Sequence, residues 1–133
     1  MVAYYTLTMT LETVRTICRA MPAVTEDLKW GADLAFCVGG KMFCVVNTEP
    51  PHQMSFKCTP EDFSELVERD GLIPAPYLAR AMWVQQTALA DEALDRRELT
   101  RLLQTSYDLV VAKLPKSKRP GIARTATPRR RSR

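Results

Sequence analysis

One histidine, His52, is present in the whole sequence. A zinc site built on two or more histidines is therefore excluded, as is a histidine relay anywhere else in the chain. Glycine is scarce too, and its only cluster is Gly39–Gly40. Neither a GxGxxG nor a GxxxxGK phosphate loop can be assembled from that pair. No run of 18 apolar residues exists, which leaves no candidate transmembrane helix. The leading MVAYYTLTMTLETV lacks a basic stretch followed by an apolar block, so it does not read as a secretory signal. Cys18, Cys37, Cys44 and Cys58 form no CxxC pair, and each lies in an apolar stretch. Buried, reduced thiols in a cytoplasmic protein are expected, not a disulfide framework. The acid pairs Glu26–Asp27 and Glu61–Asp62 are adjacent in sequence. On a strand such neighbours face opposite ways, and at a helix start they serve the dipole. No cofactor, metal or catalytic residue is expected from this inventory, and the protein reads as a non-enzyme.

Acidic residues stop at Asp108. All 15 acids but only 11 of the 19 Lys and Arg lie in residues 1–115, a net charge of −4, while residues 116–133 carry eight cations and no acid. The overall +4 thus describes the tail, not the body. The tail, KSKRPGIARTATPRRRSR, has little apolar content, and disorder is expected for it. Two units follow: a folded domain over 1–115 and a disordered basic tail over 116–133.

Within the domain, Thr10 reads as the N-cap of a helix over 10–21, with Leu11, Val14, Cys18 and Met21 at helical spacing and Pro22 as its stop. Residues 25–58 read as a strand meander. TEDLKW sets Glu26, Leu28 and Trp30 on one face. In LAFCVGGKMFCVV, a two-residue turn at Gly39–Gly40 is expected to set Phe36 opposite Phe43, Leu34 opposite Val45 and Val38 opposite Lys41. Ala35, Cys37, Met42, Cys44 and Val46 then share the other face. QMSFKC alternates, with Met54, Phe56 and Cys58 pointing one way and Gln53, Ser55 and Lys57 the other. Thr59-Pro60-Glu61-Asp62 opens a second helix, which buries Phe63, Leu66 and Val67 and ends near Gly71. LIPAPYLAR, with two prolines, predicts extended, poorly hydrogen-bonded backbone. A strand over 82–89 follows, with Trp83, Gln85 and Thr87 on one face. Asp95 and Glu98 resemble a capping box, and from there a long helix runs to Leu114. The expected fold class is α+β: two layers, an antiparallel sheet of about five strands with helices on one face.

Three aromatics sit beside extended backbone: Trp30, Tyr77 and Trp83. Packing at the core edge is their plainer role; a stacking surface for a base or a peptide is the functional one. Lys57 and Lys113 are candidate phosphate contacts. Arg129, Arg130 and Arg131 would attract any polyanion without reading sequence.

Four stretches, PAVTEDLKWGADLAFCVGGKMF, QMSFKC, GLIPAPYLARAMWVQ and SYDLVVAKLPKSKR, resemble the MmcQ/YjbR family in order and spacing over about residues 10–119. Trp30, Gly31, Pro76, Tyr77, Trp83 and Lys113 fall on its motif positions. The resemblance implies an α+β fold of secretion-chaperone-like shape and DNA binding through a double-wing arrangement, and it brings no catalytic residues. DNA is therefore the expected partner, with no membrane. The alternative is a protein-interaction or chaperone-like module that uses the sheet face and the Pro/aromatic loop. Oligomeric state is not legible in the sequence.

Overall fold

The structure, a computed structural model, describes residues 9–120. Three helices and six strands follow one another: α1 (Leu11–Arg19), β1 (Thr25–Lys29), β2 (Asp33–Val38), β3 (Lys41–Asn47), β4 (Met54–Lys57), α2 (Pro60–Leu66), β5 (Leu72–Pro74), β6 (Trp83–Gln86) and α3 (Arg96–Ala112). All strand pairs are antiparallel, in the order β1-β2-β3-β4-β6-β5. The sixth strand is β5, drawn from the LIPAPYLAR stretch. It lies at the sheet edge, where Pro74 can sit without leaving a gap in the ladder.

Each helix start rests on a cap. Thr10 and Thr13 close a reciprocal capping box, and Thr59 Oγ1 accepts from the Asp62 N–H at 3.1 Å. Asp95 Oδ1 accepts from the Glu98 N–H at 2.7 Å. The Glu98 carboxylate does not return to the cap; it pairs with Arg69 instead. The helix α2 ends at Leu66, earlier than Gly71, and Gly71 turns the chain into β5 with a φ of +87°.

The long helix α3 lies across β2, β3 and β4, and α1 packs beside it. The core fills the space between, with Phe36, Phe43, Phe56, Met54, Leu99, Leu102 and Leu103 fully buried. On β2 to β6 the alternate residues Ala35, Val45, Ser55, Gln85 and Lys57 point to the opposite, helix-free face.

The hairpin register differs from the sequence expectation. The turn is as read, since Val38 pairs with Lys41 and Cys37 with Met42. Beyond it, however, Phe36 pairs with Cys44 and Leu34 with Val46, so Phe36 does not face Phe43, nor Leu34 Val45. Phe43 is the extra residue of a β-bulge. A bulge lets consecutive residues turn to one side, and Phe43 and Cys44 are both fully buried in the core. The Phe43 ring meets Tyr107 of α3 edge-on, with centroids 5.6 Å apart and planes at 89°. Cys44 and Val46 accordingly lie on the helix side with Phe36, not opposite it.

Residues 116–120, which composition assigns to the tail, are seated on the body. Lys116–Lys118 form a 3-10 turn, and the Arg119 guanidinium donates to Leu114 O at 3.1 Å and Ala112 O at 3.3 Å, covering the end of α3. Residues 121–133, including Arg129, Arg130 and Arg131, lie outside the described residues.

Candidate functional site

The bulge has a consequence for the surface. The β3–β4 ladder ends at the Cys44–Phe56 pair, so Phe43 O and Lys57 N–H have no strand partner. Ser106, fully buried on α3, fills the gap: its hydroxyl donates to Phe43 O at 2.6 Å and accepts from Lys57 N–H at 3.1 Å. Past this bridge a cleft of about 290 Å³ opens, lined by Met42, Trp83, Leu109, Val110, Leu114 and Pro115. Three lysines stand on it: Lys41, Lys57 and Lys113. No carboxylate lines it.

Lys57 comes from the end of β4, directly across from Trp83 of β6. Its ammonium donates to Ala81 O at 2.8 Å. Burial, and then the nearby Lys113 charge, hold its pKa below the usual lysine value. An anion in the cleft would relieve that repulsion. Trp83 is only 6% exposed, so it forms a wall and offers no open ring face. Lys41 was not singled out from the sequence. Its position directly after the Gly39–Gly40 turn, on the strand whose bulge opens the cleft, is what brings it there.

Six of the body's acids are engaged in ion pairs elsewhere. Glu12 and Glu26 pair with Arg15 and Arg19, Glu65 and Glu98 with Arg69, Asp62 with Arg101, and Asp27 with Lys29. Among the described residues, no ion pair involves Lys41, Lys57, Lys113, Lys116 or Lys118. The Lys118 carbonyl lies 3.1 Å from where a Cβ on Gly39 would stand, so the basic 116–118 turn abuts the hairpin turn. A net −4 body therefore carries a concentrated positive end.

Trp30 and Tyr77 do not reach this cleft. They stand over a second concavity, a groove of about 380 Å³ on the helix-free face. Met42 lines both, so the two are neighbours. The predicted site residues thus separate into a lysine–Trp83 group and a Trp30–Tyr77 group.

His52 is a loop residue whose Nδ1 bonds Asn47 O at 3.0 Å. Among the described residues, no group of three or more His, Cys, Asp and Glu is placed to hold a metal. No helix among them is long and apolar enough to cross a membrane. All four cysteines are buried and unpaired.

The YjbR family model matches residues 19–109, most of the folded body. The chain belongs to the YjbR family. A solved structure from Deinococcus radiodurans, protein DR2400 with a DUF419 domain of the same family, is similar at 27% identity and a TM-score of 0.73, over 84% of this chain and 86% of that one. A Pseudomonas syringae protein shares the fold at 16% identity and a TM-score of 0.63, over 76% of this chain and 98% of that one. No curated protein matches the chain. The YjbR match spans Lys41 and Lys57 of the cleft together with Trp30 and Tyr77 of the groove, and it ends before Lys113.

Proposed function

We propose that this YjbR protein is a non-catalytic DNA-binding protein that holds backbone phosphates in the Lys41–Lys57–Lys113 cleft. The observation that carries the reading is the convergence of three lysines without carboxylate partners on one cleft, beside the basic 116–118 turn. Unscreened, closely spaced ammonium groups favour a polyanion, because each phosphate held releases condensed counterions from the duplex. The chain continues from this end into residues 121–133, whose arginines, Arg129, Arg130 and Arg131 among them, add non-specific phosphate affinity. The DNA binding that the MmcQ/YjbR resemblance implies points the same way. Four unpaired cysteines fit a reducing compartment, and a cytoplasmic location belongs to this reading.

The test compares two charge deletions of similar kind. Lys41→Gln/Lys57→Gln/Lys113→Gln removes the cleft lysines. Arg96→Gln/Arg97→Gln removes cations from the other end of α3. Fluorescence anisotropy with a labelled duplex at low salt should show a large loss for the first and little for the second. Equal binding by all forms would refute the reading.

A second reading, a protein-interaction module, draws on the exposed Trp30, Tyr77 and Leu78 around the groove. The lining mixes Met42 and Val45 with the amides of Gln53 and Gln85, and the lysines beside it favour a polyanion over an apolar segment.

A further inference from the structure

The helix-free groove has two aromatic posts. Trp30 lies in the β1–β2 turn, and Tyr77 follows the edge strand β5. These two elements are at opposite edges of the sheet, yet both side chains line the same groove. Trp30 is 71% exposed and Tyr77 104% exposed, the two most exposed large apolar side chains of the described chain. Neither is needed by the core. Both sit at positive φ, 52° and 68°, a conformation unfavourable for bulky residues.

Between them the floor combines the apolar side chains of Met42 and Val45 with amide and hydroxyl groups from Gln53, Ser55, Gln85 and Asn47. Asn47 is already committed, donating to Asp33 at 3.0 Å and accepting from the Glu49 N–H at 2.9 Å. Ser55 donates weakly to Gln85 Oε1 at 3.4 Å, which leaves the Gln85 amide N–H groups available. Gln53 makes no side-chain hydrogen bond among the described residues, so its whole amide is available. An amide presents a donor and an acceptor side by side, the pattern that pairs with the edge of a nucleobase. The Asp33 carboxylate at the rim disfavours a phosphate here but can accept from an exocyclic amine. The phosphate-attracting lysines are next door, across Met42. A volume near 380 Å³ falls within the range of about 300–1,000 Å³ typical of small-ligand sites.

We propose that this groove takes an unpaired nucleobase, stacked on Trp30 and Tyr77 and hydrogen-bonded at its edge by Gln53 and Gln85, while the adjoining phosphates lie in the lysine cleft. The phosphate half rests on the DNA-binding reading; the base half stands on the groove. Bases inside a duplex have no free face to stack, so the ligand class is single-stranded or locally unpaired nucleic acid.

The experiment uses the full chain and two probes, a deoxyadenosine dodecamer and a dodecamer of abasic residues with the same phosphates, at low salt. The expected result is tighter binding of the base-containing strand, with quenching of tryptophan emission that the abasic strand does not cause. Trp30→Ala and Tyr77→Ala should each weaken the base-containing strand by roughly tenfold, within the usual range for one stacked base, and leave abasic binding unchanged. Equal binding of the two strands, or insensitivity to both substitutions, overturns the proposal. Binding of reduced, carboxymethylated α-lactalbumin that is lost in Trp30→Ala, with no base preference, would also overturn it and make the groove a polypeptide site. The triple lysine-to-glutamine variant separates the two readings. If it keeps abasic binding at the wild-type level, the phosphate cleft is refuted, whereas a surviving preference for bases would still support the groove.

Discussion

Ser106→Ala is a small change with a large expected effect. The hydroxyl is fully buried and makes two hydrogen bonds to backbone, donating to Phe43 O at 2.6 Å and accepting from Lys57 N–H at 3.1 Å. Alanine fits the same space and keeps the helix, so packing and propensity hardly change. What changes is that two backbone groups, left without a strand partner by the bulge, lose their only partner. Each unsatisfied buried group costs about 1–3 kcal/mol, so a loss of roughly 2–4 kcal/mol is expected after partial relaxation. Urea unfolding followed by circular dichroism would read this as a lower midpoint at unchanged slope. A Ser106→Thr variant, which keeps the hydroxyl, should recover part of the loss. A change within about 0.5 kcal/mol for Ser106→Ala would refute the bridge, and with it the account of why β3 and β4 separate to form the cleft.

Phe43→Ala should cost about 3–5 kcal/mol in the same assay, because the ring is fully buried and packed against Tyr107; a near-neutral result would place Phe43 on the helix-free face. Thiol titration without reductant should find four thiols in denaturant and almost no reactivity in native protein at pH 8, because all four are buried. Burial and then Asp62 raise Cys58 to about 11, which leaves roughly a hundredfold less thiolate than an unshifted cysteine at that pH; fast native labelling of Cys58 would contradict this. DNA affinity should fall with rising pH earlier than an ordinary lysine would dictate. Lys57 has a lowered pKa, so its charge, and the attraction it supplies, is present below that pKa and lost as pH rises through it. Lys57→Gln should flatten this part of the pH profile.

Local chemistry explains what was legible in the sequence. Caps at Thr10, Thr59 and Asp95 act within four residues and were read directly, as was the Gly39–Gly40 turn. The alternation in QMSFKC placed Ser55 and Lys57 on the side away from Phe56, as observed. The bulge at Phe43 was not legible, because its cause is tertiary: an aromatic partner, Tyr107, and a hydroxyl, Ser106, sit more than sixty residues away. A register read from the turn alone cannot contain that information. The same reason hid Lys41, which belongs to the cleft only because the bulge opens it. Body charge was also misleading as a sum. The excess acids lie away from the cleft, which no carboxylate lines, so the hairpin end stays positive. Trp30, Tyr77 and Trp83 look alike in sequence, yet β6 buries Trp83 while turns expose the other two.

The salt dependence of duplex binding tests the central claim most directly. Log affinity should be measured against log salt concentration for the full chain and for Lys41→Gln/Lys57→Gln/Lys113→Gln. Each phosphate neutralised adds roughly −0.9 to the slope. If the cleft holds phosphates, the variant's slope should be shallower by up to about 2.7, with weaker binding at low salt. Identical slopes and affinities for the two proteins would mean that the cleft lysines take no part in binding DNA, and that cations elsewhere, the 116–118 turn or the arginines beyond residue 120, carry the attraction.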